Sequence, residues 1–169
     1  MNAEHISEAR EAIHRHPATR DALAAALLEL LQATRREFML VTPMLEPGHW
    51  NTATYTEALA HLIARHPQTR VRMVVEDSEH LLGSCPRLVE LARRFSDRVF
   101  IQRLGDSHRG MTSLFAVADR DSCLVQADHD QTDATLDLHA PRITAPWLQR
   151  FEEIWSNAEP TPGLHGFRL

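Results

Sequence analysis

The sequence predicts an α/β fold: a single three-layer domain in which a mixed, mainly parallel sheet is flanked by helices. Three features carry this. Between residues 19 and 104, amphipathic stretches alternate with short apolar runs in the order α-β-α-β-α-β, the grammar of a parallel sheet covered by helices. The runs FMLVT at 38–42 and VRMVVE at 71–76 are dominated by large apolar and β-branched residues, as in strands buried on both faces. Finally, TSLFAVADRDSCLVQA at 112–127 reads as two apolar strands joined by the polar turn Asp119-Arg120-Asp121. So short a connection requires an antiparallel pair, which makes the sheet mixed.

Taken in order, residues 1–17 form a polar lead-in of helical tendency, with Ile6, Ala9 and Ile13 on one face and Pro17 closing it. Residues 18–160 form the α/β domain. Its first helix, 19–35, carries the stripe Leu23, Leu27, Leu30 and Leu31 and an Ala-rich middle of high helix propensity. The strand 38–42 follows, stopped by Pro43. A loop through Pro47, Gly48 and Trp50 leads to Thr54-Tyr55-Thr56-Glu57, which has the spacing of a capping box with Thr54 as N-cap. That helix runs to about His66, with Leu59, Leu62 and Ile63 inward. The second strand is 71–76, and 77–84 is a loop or short helix. Pro86 opens the next helix, where first-turn amides have no bond to lose, and the third strand is 99–104. GDSHRGM at 105–111 is a loop that delivers the chain to the hairpin. Residues 128–137 are polar and irregular, with a short strand around 134–138. The last helix starts near Thr144 or Ala145, carries Leu148, Phe151, Ile154 and Trp155, and ends before Pro160 and Pro162. Residues 161–169 are expected to be a loosely held tail.

Composition narrows the function classes. The chain has 169 residues, enough for one core without disulfide or metal support. A formal charge of -5 argues against a general nucleic-acid binder, which needs a cationic face. All 18 basic residues are Arg, so a phosphate-loop or Schiff-base lysine is excluded. Two cysteines, Cys85 and Cys123, are too few for a disulfide framework and fit a reducing cytoplasm. No secretory leader or membrane-spanning run is present, so a cytoplasmic protein without membrane contact is expected.

Eleven histidines raise the question of metal. The local groups are His14 with His16, His61 with His66, and Asp128-His129-Asp130. None has the helical i, i+4 or Cys/His spacing of tetrahedral zinc, so neither a metal nor another cofactor is expected. Trp155 belongs to an apolar helix face, Trp50 lies in a Pro/Gly loop suited to local packing or a contact surface, and Trp147 fits either role.

The arrangement resembles one half of the phospholipase D superfamily, whose signature HxKxxxxD lies on a strand entering a hairpin, with Gly-Ser-x-Asn at the far end. With Asp119 on the signature Asp, the His position falls on Thr112 and the Lys position on Leu114. The Gly-Ser-x-Asn positions fall on Gln126, Ala127 and His129. Only the Asp matches. A narrower likeness is carried by FMLVTPMLEP, VRMVVED, LVELARRF, LFAVAD and LQRFEEIWSNAEP, which together span most of residues 19–160. These stretches resemble an uncharacterised bacterial phospholipase D-like domain that lacks the signature and is often fused behind a GNAT-type acetyltransferase. This chain has no room for that enzyme, which would be a separate protein. The resemblance also implies pairing of two halves, here as a homodimer.

In a phospholipase D enzyme the His attacks phosphorus and the Lys neutralises developing charge, so losing both removes bond making and transition-state stabilisation together. The resemblance therefore implies a non-catalytic module that binds a partner protein or a small anion. The alternative is a divergent phosphodiesterase or phosphotransferase rebuilt around His108. Its candidate cleft would hold Glu76, Asp77, His108, Arg109 and Thr112 at the carboxyl ends of the strands, where α/β sheets place ligands, with Asp119 at the hairpin turn.

Overall fold

The computed structural model describes residues 10–164. Along the chain these form β1 (Ile13–Arg15), α1 (Arg20–Ala33), β2 (Glu37–Thr42), α2 (Pro47–Trp50), α3 (Ala53–Arg65) and β3 (Arg70–Val75). There follow α4 (Ser78–Ser84), α5 (Pro86–Arg94), β4 (Val99–Arg103), a 3₁₀ turn (Asp106–His108), β5 (Leu114–Ala118) and β6 (Ser122–Gln126). The last elements are β7 (Thr135–Leu138), α6 (Pro141–Ser156) and β8 (Glu159–Pro160).

All eight strands belong to one sheet, ordered β1-β7-β6-β5-β2-β3-β4-β8. The mixed sheet flanked by helices is as expected. Its parallel pairings are confined to β2-β3-β4, and the other five neighbouring pairs are antiparallel. The excess of antiparallel pairs comes from the two ends of the sheet, where polar segments add short strands that their composition conceals.

The period-2 alternation of the strands divides the core in two. On one face Phe38, Leu40, Val71, Met73, Val75, Ala116 and Leu124 meet Leu27, Leu30 and Leu31 of α1, Leu59, Leu62 and Ile63 of α3, and Leu88 of α5. On the other, Met39, Val41, Val74, Phe115, Val117 and Cys123 are covered by Phe151 and Ile154 of α6. Helices α1–α5 on one face and α6 on the other make the three layers. Side chains such as Leu30, fully buried, each contribute roughly 1.5–3 kcal/mol of transfer free energy.

Helix ends follow their capping chemistry. The Thr19 hydroxyl accepts from the Ala22 amide at 3.1 Å, and Asp77 from the His80 amide at 3.0 Å, so each starts a helix. The cap of α3 is Thr52, whose hydroxyl accepts from the Tyr55 amide; the expected Thr54 lies inside the helix. Thr52 wins because the single turn of α2 places the His49 carbonyl within reach, and the same hydroxyl donates to it at 2.6 Å.

Three further expectations are corrected. Ile13–Arg15, read as helical, is the edge strand β1 paired with Leu136–Leu138 of β7; Ile6 and Ala9 lie outside the described residues. Helix α6 begins at Pro141, not at 144 or 145: proline at its first position costs no hydrogen bond. Pro146 then sits past the first turn, where it removes one bond on the solvent side. The tail is held as far as Leu164, which is fully buried. The Thr161 hydroxyl donates to the Ile101 carbonyl at 2.9 Å, and the Arg93 guanidinium donates to the Leu164 and Gly163 carbonyls at 2.9 and 2.8 Å. Gly105 permits close approach of β4's exit to α6, since a Cβ there would stand 2.1 Å from the Asn157 carbonyl oxygen.

Candidate functional site

Strands β2, β3 and β4 end at one edge of the sheet, and β5, antiparallel to β2, begins there. Thr42, Glu76, Leu104, Leu114 and Gln126 therefore arrive together with their loops. This is the edge at which an α/β sheet leaves crevices between diverging connections.

The sequence candidates divide into separate places. Glu76, Asp77 and Arg109 line a cleft of about 470 Å³ with Glu79, Arg103 and Leu104. Their polar groups are engaged locally. Glu76 accepts from the Gly110 amide at 2.9 Å, Asp77 caps α4, and Arg109 pairs with Asp106 at 2.9 Å. His108, on the 3₁₀ turn, lines neither this cleft nor the next, and its ring partner is the Ser107 hydroxyl at 3.2 Å. Thr112 is exposed on the approach to β5, its carbonyl accepting from the His129 amide at 2.7 Å. Asp119 stands at the other end of β5, five residues beyond Leu114, or roughly 16 Å at strand rise.

At that far end Asp119 binds backbone amides of the α1–β2 connection. It adopts φ 55°, a left-handed conformation that Asp tolerates better than most residues. Its carboxylate accepts from the amides of Arg35, Arg36 and Glu37 at 3.1, 2.8 and 3.2 Å, and its own amide donates to the Glu37 carbonyl at 2.7 Å. The hairpin turn is thereby stapled to the entry of β2. A cavity of about 990 Å³ lies alongside, lined by Arg10, Arg35, Arg36 and Arg120 and balanced by Glu37, Asp119 and Asp121.

The remaining crevice at the carboxyl edge has about 380 Å³ and is lined by side chains that sequence reasoning left out of the site. Its apolar wall is Leu23 and Leu27 of α1, Trp50 and Leu114; its polar wall includes Arg20, Thr42, His49, Gln126, His129 and Thr132, with Glu46 and Asp130 at hand. Tyr55 fixes the His49 side: its ring stacks on His49 at 5.6 Å between centroids, meets Trp50 edge-on at 5.2 Å, and its hydroxyl donates to the Ala24 carbonyl at 2.5 Å. Burial pushes that hydroxyl well above the usual tyrosine range. Gln126 donates to the Gln131 carbonyl and Thr132 to the Ala18 carbonyl, tying the loop after β6 to the start of α1. His129 packs its ring nitrogen Nδ1 3.2 Å from the Thr112 carbonyl. Among the described residues, Arg20 has no carboxylate partner. The one signal for this crevice was the signature spacing, which puts Leu114, Gln126 and His129 at family positions though none matches in type.

The architecture has counterparts among solved structures. Nuc, a phospholipase D family member from Salmonella typhimurium, is similar at 10% identity and a TM-score of 0.62, covering 88% of this chain and 97% of that one. NucT from Helicobacter pylori is similar at 10% identity and 0.62, covering 89% and 99%. TrmBL2, an archaeal chromatin protein described with a novel mode of DNA binding, is similar at 12% identity and 0.61; the match covers 90% of this chain but 55% of that one. The fold is therefore phospholipase D-like. Residues 19–167 match the family described as a domain of unknown function, DUF7931, and the chain belongs to that family. No curated protein matches.

Proposed function

We propose that the protein is a non-catalytic phospholipase D-like module that binds a small anionic ligand in the crevice between α1 and the β5–β6 hairpin. The observation carrying this is the makeup of that crevice. Leu114, at the position the signature gives to Lys, is part of its wall, and Arg20 is its cation without a carboxylate partner among the described residues. An anion can be held by a guanidinium and neighbouring donors, whereas cleavage needs a nucleophile and a charge-neutralising partner at the phosphorus. Among the described residues no base meets the Thr112 hydroxyl: its neighbour His129 directs Nδ1 to the Thr112 carbonyl.

The competing reading is a phosphodiesterase rebuilt around His108, and the same purified protein separates the two. Assayed against a panel of phosphodiester substrates, it is expected to show no turnover. Turnover that disappears on His108→Ala would replace the binding reading with the catalytic one. Pairing of two halves belongs to the same proposal. Because Ile143 is the exposed large hydrophobic of the described surface, such a homodimer would be joined by polar contacts and weakened by salt.

A further inference from the structure

We propose that His14, on the edge strand β1, and His16, just beyond its end, form a two-histidine site for a borderline divalent cation of the Zn²⁺, Ni²⁺ or Cu²⁺ type. His16 is the first residue after β1, and its ring turns back to that of His14. Here the Nε2 atoms of His14 and His16 lie 2.8 Å apart, with ring centroids at 4.5 Å and planes at 85°. Antiparallel pairing puts His14 opposite Asp137 of β7, and His14 Nδ1 stands 2.5 Å from the Asp137 carboxylate.

That carboxylate determines the chemistry. The Asp137 side chain is 5% exposed, and a carboxylate so buried requires a donor. Among the described residues its hydrogen-bond donor is His14. The proton of a neutral His14 is therefore on Nδ1, which leaves the Nε2 lone pair pointing outward, toward His16. This is the carboxylate–histidine–metal relation in which an outer carboxylate fixes the tautomer and the ring orientation. Without an ion, His16 donates an N–H to that lone pair. Moving the His16 proton to its own Nδ1 instead presents two lone pairs to one point. Two imidazoles at about 2.0–2.1 Å from a tetrahedral metal have nitrogens roughly 3.3 Å apart. Reaching that separation from 2.8 Å takes a small rotation of His16, whose ring is on the exposed edge. Imidazole pairs suit Zn²⁺, Ni²⁺ and Cu²⁺, while Mg²⁺ and Ca²⁺ require oxygen ligands. Water completes the coordination, and the ion would reinforce the His14–Asp137 link that holds the three-residue β1 to the sheet.

The test is calorimetric titration of the full, untagged chain with Zn²⁺, paired with the electron paramagnetic resonance spectrum of bound Cu²⁺. The expected result is one ion per chain, nitrogen coupling from two imidazoles, at least tenfold weaker binding in His14→Ala and in His16→Ala, and roughly 10–100-fold weaker binding in Asp137→Asn. The two histidine variants alter exposed side chains, and circular dichroism confirms their fold. No binding, or binding that survives both histidine substitutions, overturns the assignment. So does an ion retained by His14→Ala but lost with His129→Ala, which would place it at the Asp128-His129-Asp130 group.

Discussion

Asp119 shows how a residue can be found by sequence while its partners stay hidden. The hairpin turn was legible because Asp-Arg-Asp interrupts two apolar runs, but the role of the acid was not, since its partners are amides more than 80 positions away. Asp119→Ala is expected to cost about 2–3 kcal/mol in urea denaturation, from lost charge-assisted bonds and a side chain less tolerant of positive φ. Asp119→Asn, which can keep its Oδ1 acceptor, should cost less. The buried thiols and Tyr55 set a second expectation. Burial pushes Cys85, Cys123 and Tyr55 above their ordinary values of 9.0, 9.0 and 10.0. Their folded pKa values exceed the unfolded ones, so this contribution is complete below about pH 8 and falls as pH rises, because the unfolded chain releases protons first. Denaturation midpoints should therefore decline between pH 8 and pH 11, and thiol reagents should label the native protein slowly.

At the scale of elements, long apolar patterns were readable and short strands were not. Helix α1 and strand β2 follow directly from their apolar spacing. Strand β1 has three residues, two of them His and Arg, and its pairing with β7 depends on a partner more than 120 positions away. The cap of α3 was misplaced because Thr52 and Thr54 both have capping chemistry; the choice depends on α2, whose single turn has no periodicity to detect. Thr52→Ala should destabilise the protein by about 1 kcal/mol, whereas Thr54→Ala, at an exposed helical position, should change stability by less than about 0.5 kcal/mol. Thermal melts of the two variants decide between the caps.

For the whole molecule, the alternation of helix and strand was enough to give one sheet between helical layers, but not the location of the crevice proposed to bind a ligand. The candidates at Glu76, Asp77 and Arg109 do gather at the carboxyl edge, in their own cleft. The crevice with Arg20, which has no carboxylate partner among the described residues, is assembled from α1, the loop after β2 and the loop after β6, segments that only the tertiary fold unites. The phospholipase D-like fold thus surrounds the crevice proposed to bind an anion, whose wall includes Leu114 and Arg20. Calorimetric titration with inorganic phosphate tests this most directly. Saturable binding at one site, weakened at least tenfold by Arg20→Ala, is the predicted result; no binding, or binding indifferent to Arg20→Ala, would contradict it.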